Sequence, residues 1–238
     1  KNKNNFFKMA LQSAIYYAIS NIFSFQYPYY EHHREFSAIK EFRIGILNSY
    51  RFIKNQFVEK KYLNEIRGKL SKKYYFVPLQ TQNDFQVKIH SDFNNMEEFI
   101  EYVLLSFSKN APKNFYIVIK HHPLDRGRKN YSKYIKRVSK NLNILSRVIV
   151  LSDTHLPTLL KNSLGTVVIN STVGFSSLYH GIPVICLGRS IYDINGLTVG
   201  NINLDNFWNL KFKVNRKLFN RFKNFLIFNS QIPTNFYE

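Results

Sequence analysis

Three short polar stretches each follow an apolar run, and their side chains are the ones with chemistry to offer. Phe115-Tyr116-Ile117-Val118-Ile119 runs into Lys120-His121-His122-Pro123. Thr166-Val167-Val168-Ile169 runs into Asn170-Ser171-Thr172-Val173-Gly174, and Pro183-Val184-Ile185-Cys186-Leu187 into Gly188-Arg189. Continuous apolar runs of this length read as strands buried on both faces of a parallel sheet. Open α/β sheets bind ligands outside the carboxyl ends of their strands. Ser171 and Thr172 bring hydroxyls, and Gly174 lets a ligand approach the backbone. A helix starting there adds unpaired N–H groups and the positive end of its dipole. That is chemistry for an anion, a phosphate in particular. Lys120 and His122 add charge and a donor to the same anion. The same residues equally fit a plainer account, in which Ser171 or Thr172 caps a helix and His122-Pro123 is a turn.

The elements that must position these residues are legible as a β-α alternation. Tyr74-Tyr75-Phe76-Val77-Pro78-Leu79-Gln80 is aromatic and β-branched and reads as the first strand, with Gln80, Gln82, Asn83 and Asp84 in its loop. A helix is expected over 95–109, with Met96, Phe99, Ile100, Val103, Leu104 and Phe107 on one face. After the Lys120 strand come a basic loop, a short helix near 131–140 and a strand over 148–151. A short helix over 156–162 carries Pro157 near its first turn. Asp153-Thr154-His155 fits either the lining of a pocket or, through Asp153, a helix cap. The alternation predicts a parallel sheet with helices on both faces. Upstream, helix faces are expected over 9–25 and from about 35 to 69. Downstream, the apolar residues of 207–226 predict closing helices that pack back on the sheet. The adjacent His32 and His33 do not share a helix face, which makes them a poor metal pair; they fit a solvated helix start.

Lys120-His121-His122-Pro123 resembles the Lys-x-His-Pro signature of bacterial sialyltransferases and Kdo transferases. Asn170-Ser171-Thr172-Val173-Gly174-Phe175-Ser176-Ser177-Leu178-Tyr179-His180-Gly181-Ile182-Pro183-Val184 and Gly188-Arg189-Ser190-Ile191-Tyr192-Asp193-Ile194-Asn195-Gly196-Leu197-Thr198 resemble the capsule polysaccharide biosynthesis and export family of the KpsS/LipB type. Tyr29-Tyr30-Glu31-His32-His33-Arg34 and Tyr75-Phe76-Val77-Pro78-Leu79-Gln80 with Asp84 fit the same family, so the resemblance runs over about residues 29–198. It implies an α/β fold, the Rossmann-like nucleotide-binding domain of a GT-B glycosyltransferase, with helical N-terminal and C-terminal segments. The expected division is 1–71, a helical remnant of or linker from the N-terminal domain; 72–201, a Rossmann-like CMP-sugar-binding domain; and 202–238, closing helices. The residues before 72 are too few for a whole first domain, so a fragment lacking most of it is expected. The implied reaction moves Kdo (3-deoxy-manno-octulosonic acid) from CMP-Kdo to a lyso-phosphatidylglycerol or Kdo-linker acceptor with retention. Lys120, His122, Ser171, Thr172 and Gly174 would bind the donor. Asp84 and His122 would be catalytic, Asp84 as the nucleophile that retention asks for unless it is a helix cap. CMP-Kdo carries its own phosphate leaving group, so no metal or other cofactor is expected. The role of Asp193 and Tyr192 is not implied.

Composition bounds these readings. The chain has 238 residues, 45% hydrophobic, enough for a core in one or two domains. Lys and Arg number 34 against 15 Asp and Glu, a net charge of +19. Such a field favours nucleotide-sugars, an anionic membrane surface or nucleic acid. No zinc-finger spacing, RNA-binding aromatic signature or heptad-linked basic region accompanies it. Nucleic acid is therefore not an expected partner. The expected partners are a CMP-sugar donor, an anionic lysophospholipid or glycolipid acceptor, other capsule assembly proteins and the inner face of the cytoplasmic membrane, with the chain peripheral and cytoplasmic. No signal peptide is expected, and residues 9–25 are too short and polar for a membrane span. The single cysteine, Cys186, lies in an apolar run and reads as a small buried hydrophobe. The alternative functions are a non-catalytic, membrane-associated capsule export scaffold and, from charge alone, a nucleic-acid-binding module.

Overall fold

A computed structural model describes residues 38–230 apart from Asn83, with isolated positions between 12 and 29; the side chains of 38–42 are not described. About half of the helix expected over 9–25, and all of the segment with His32, His33 and Arg34, lie outside the described residues. The elements in chain order are α1 (Ala38–Arg67), β1 (Tyr74–Pro78), α2 (Phe85–His90), α3 (Met96–Asn110), β2 (Tyr116–Lys120), α4 (Ser132–Asn141) and β3 (Val148–Leu151). They continue with α5 (Leu156–Asn162), β4 (Gly165–Val168), α6 (Thr172–Tyr179), β5 (Val184–Cys186), α7 (Leu204–Phe207) and α8 (Arg216–Asn229). The five strands form one parallel sheet in the order β3-β2-β1-β4-β5. This is an α/β, Rossmann-like architecture, and its order reverses between β1 and β4.

Alternation along the strands divides the core. Tyr75, Val77, Ile117, Ile119 and Val167 face α3 and α4, where they pack with Phe99, Val103, Phe107 and Ile135. Tyr74, Phe76, Val118 and Leu151 face the other way, onto Ile66 of α1 and Leu159 and Leu160 of α5. Each fully buried side chain of this size is worth roughly 1.5–3 kcal/mol over its exposed state, so both faces of the sheet must be covered.

α3 shows why these residues form these elements. Asn95 accepts from the Glu98 N–H at 2.9 Å, Glu97 and Glu98 sit in the first turn, and Lys109 in the last. Caps and charges thus agree with the dipole. The tail closes the same core. Trp208 is fully buried, and its Nε1 donates to Ser106 Oγ at 2.8 Å. Tyr75 Oη donates to the Trp208 carbonyl.

Candidate functional site

The crevice between β1 and β4 is built from amides and a carboxylate. Gln80 follows β1 and Asn170 follows β4. Gln80 Nε2 donates to Asn170 Oδ1 at 2.9 Å and to Asp84 Oδ2 at 3.0 Å, while the Asn170 N–H donates back to Gln80 Oε1 at 3.3 Å. Asn170 Nδ2 also donates to the Gln86 carbonyl at 2.8 Å. Asp84 caps α2 by accepting the Gln86 N–H at 2.9 Å. Both carboxylate oxygens are thereby engaged and the group is fixed at the crevice. Residue reading placed Gln80 in this loop but gave the bridging to neither Gln80 nor Asn170. The only signal was that both follow strands now seen flanking the reversal.

At the end of β2 the three polar residues have separate tasks. His121 is buried; its Nε2 accepts the Tyr131 N–H at 2.9 Å, which leaves Nδ1 to donate to the Leu151 carbonyl at 3.3 Å. Burial lowers its pKa, and both bonds suit the neutral ring. His122 Nδ1 accepts the Leu124 N–H at 3.2 Å, opening a 3-10 turn over Pro123–Asp125 and leaving Nε2 as the ring nitrogen that can donate. Its pKa is lowered by burial and then by Lys120, against an upward pull from the Asp84 carboxylate. Lys120 shares the Val118 face of β2. It is 8% exposed, and its ammonium donates to the Ser152 carbonyl at 2.5 Å. Its pKa is lowered by burial, with Asp153 and Glu59 opposing. The lysine expected to serve an anion beside Ser171 is thus committed to the end of β3.

The β4 loop also resolves into structure. Ser171 caps α6, its Oγ accepting the Val173 N–H at 3.3 Å, and Thr172 is exposed in the first turn. Gly174 is buried, and a Cβ there would come within 2.8 Å of Tyr192 Cζ. The close approach this glycine allows is therefore that of the Tyr192 ring, whose Oη donates to the Ser171 carbonyl. That contact takes up the space a Cβ would need. It also accounts for Tyr192, which the residues alone did not explain. Asp193 accepts from the buried Thr198 hydroxyl at 2.5 Å and pins the loop after β5.

Helix α1 lies over the ends of β2 and β3. The Glu59 carboxylate is held by three successive backbone N–H groups, from Ser152 at 2.7 Å, Asp153 at 2.9 Å and Thr154 at 2.8 Å, and by the Thr154 hydroxyl at 2.7 Å. Asp153 neither caps α5 nor stands open to a ligand. It pairs in two-pronged fashion with Arg126 and accepts from Asn55 Nδ2 at 2.8 Å. Arg126 in turn donates to Asn48 at 2.7 Å and lies over the Phe52 ring at 5.0 Å. Nothing in the residue pattern marked Glu59, one of many charges on a long helix.

At the end of β5 an open cavity of about 530 Å³ is lined by Ser91, Tyr102, Cys186, Gly188, Asp193 and Asn203 among others. Cys186 is partly rather than fully buried, and burial pushes its thiol up to about 12, so the thiolate is absent at neutral pH. Among the described residues no cluster of His, Cys, Asp and Glu is arranged to hold a metal ion, and no helix is long and apolar enough to cross a membrane.

With this geometry in hand, comparison with known proteins is specific. The "Capsule polysaccharide export protein KpsS" of Escherichia coli is 37% identical over 222 residues, covering 93% of this chain and 57% of that protein. The "Capsule polysaccharide modification protein LipB" of Neisseria meningitidis serogroup A is 39% identical over 218 residues, covering 90% of this chain and 51% of that one. The chain spans about half the length of the curated relatives it matches. Among solved structures, the "Thermosulfurimonas dismutans KpsC, beta Kdo 2,7 transferase" is matched at 22% identity and a TM-score of 0.40, over 68% of this chain and 55% of that one. The family described as "Capsule polysaccharide biosynthesis protein" matches residues 1–237, and the chain belongs to it.

Proposed function

We propose that the chain carries the donor side of a retaining glycosyltransferase of capsule biosynthesis, moving Kdo from CMP-Kdo to a lyso-phosphatidylglycerol or Kdo-linker acceptor. The observation that carries this reading is the set of polar groups around the β1/β4 reversal: Asp84 fixed by Gln80, His122 close enough to feel the Asp84 charge, and the start of α6 at Ser171 and Thr172. In this reading the α6 N-terminus, the Ser171 and Thr172 hydroxyls and the His122 Nε2 donor take the CMP phosphate. Lys120 acts from behind, through the charge it lends the site and the β3 end it holds. Asp84 attacks the anomeric carbon as the bond to the CMP phosphate breaks, and the acceptor hydroxyl then displaces Asp84, which gives net retention. The leaving group already carries its phosphate, so no metal is assigned. Residues 72–201 are the nucleotide-binding domain of a GT-B pair, 1–71 lead from the first domain, and 202–238 close the second. The acceptor's chemistry sets the work at the inner face of the cytoplasmic membrane.

A second reading, a non-catalytic capsule export scaffold, is favoured by one observation: Lys120 and Asp84 are both engaged within the protein. Calorimetric titration with CMP separates the two. The transferase reading expects binding by the chain, weakened about tenfold or more in His122→Ala through loss of a charge-assisted bond. Asp84→Asn should keep CMP affinity and lose transfer in the complete enzyme. A folded chain that binds no CMP would leave the scaffold reading standing.

A further inference from the structure

From the outward face of α8 we infer that this helix is a docking surface for an anionic lipid bilayer. The inference deepens the reading above by naming the part that meets the membrane, and it uses none of the donor-site residues.

Among the described residues α8 is anchored on one side only. Phe219 is buried, and Leu218 and Phe222 pack with it against the cluster of Val168, Leu178 and Tyr192. Upstream, buried Trp208 and Val214 fix the approach to the helix. Beside this anchored stripe Lys217, Arg221, Phe225 and Phe228 follow at spacings of four, four and three, and so share one helix face. Both cations are exposed, Phe225 is 60% exposed and Phe228 is 82% exposed. No acidic residue lies between Asp205 and the end of the helix, whereas Lys211, Lys213, Arg216, Lys217, Arg221 and Lys223 all do.

Charge and shape together choose the occupant. Cations fill the first turns of the face and bare aromatic rings the last. A bilayer with anionic headgroups meets both needs, phosphates for the cations and acyl chains for the rings. A nucleic acid meets only the first. A water-facing role leaves two phenyl rings in solvent at the end of a folded helix without return.

The test is co-sedimentation of the full chain with vesicles of phosphatidylcholine and phosphatidylglycerol in roughly equal parts, beside vesicles of phosphatidylcholine alone. The chain should pellet with the first and not the second. Phe225→Ser/Phe228→Ser and Lys217→Glu/Arg221→Glu should each lower the bound fraction about tenfold, given the area and charge each removes. Both variants replace exposed residues and should keep the parent's circular dichroism and its CMP affinity, so failure here and failure of the donor-site reading are told apart. Equal pelleting of the serine variant and the parent overturns the inference, as does equal binding to neutral vesicles. A chain that ignores vesicles and shifts a DNA duplex overturns it in favour of a general polyanion surface.

Discussion

At the scale of single residues, two buried groups beside the site titrate in opposite senses. Asp125 is 4% exposed, and burial pushes its carboxyl up to about 6, against the Gln82 N–H at 3.1 Å and the nearby Arg128 and Lys129, which pull it down. Its folded value lies above the unfolded value of 3.8, so the folded chain binds the extra proton between the two. Asp125 therefore costs stability at neutral pH, and that cost is relieved as pH falls through about 6. His121 has the reverse sign. Burial lowers its folded pKa below 6.5, so the unfolded chain binds the extra proton and stability falls as pH drops below that value. Asp125→Asn keeps an oxygen for the Gln82 N–H and removes the buried charge. It should raise stability at pH 7 by of the order of 1–2 kcal/mol. It should also leave the histidine effect unopposed, so that stability declines steadily from pH 7 to pH 5. Urea unfolding across that range checks both; a variant less stable than the parent at pH 7 would show that burial is not the dominant influence on Asp125.

At the scale of elements, α1 is held to the sheet by one carboxylate more than by any other polar group. Glu59 satisfies three consecutive N–H groups, and without it those donors lose their partners together. Glu59→Ala should cost about 2–4 kcal/mol, and Glu59→Gln, which keeps one carbonyl acceptor, about half of that. Amide exchange of Ser152, Asp153 and Thr154 should quicken in step with the loss. A cost below about 1 kcal/mol with unchanged exchange would mean that water replaces the carboxylate freely. This docking also marks where residue reading ran out. Strands over 148–151 and helices over 95–109 and 156–162 were legible because each carries its own apolar period, cap or proline. Helix α2 was not expected, since six residues are too short for a period; its one signal was Asp84, read as nucleophile or cap. Lys120 was correctly set at a strand end, but which sheet face it takes depends on register. Its partners, Ser152 and the nearby Glu59, stand 32 and 61 positions away, beyond any local pattern.

At the scale of the whole molecule, the positive excess dominates the surface, since 34 Lys and Arg stand against 15 Asp and Glu and part of the acids is already engaged within the protein. Glu59 and Asp125 are buried acceptors, Asp153 is locked to Arg126, Asp84 caps a helix, and Asp205 accepts from Ser106. The other acids are outnumbered by the solvated Lys and Arg, and the net charge of +19 is left to repel itself in the compact state. Raising sodium chloride from about 10 mM to about 150 mM shortens the Debye length from roughly 30 Å to roughly 8 Å. That range is too low for appreciable salting-out. Relief of about 1 kcal/mol of repulsion should raise the melting temperature by about 2–4 °C, with sodium bromide giving the same rise at equal ionic strength if screening is the cause. A fall instead would mean that attraction within ion pairs, such as Arg126 with Asp153, Lys129 with Glu97 and Lys69 with Glu65, outweighs the repulsion of the rest. The basic surface would then be held by specific pairing, and its long-range field would be weaker than the charge count requires for drawing the chain to an anionic membrane.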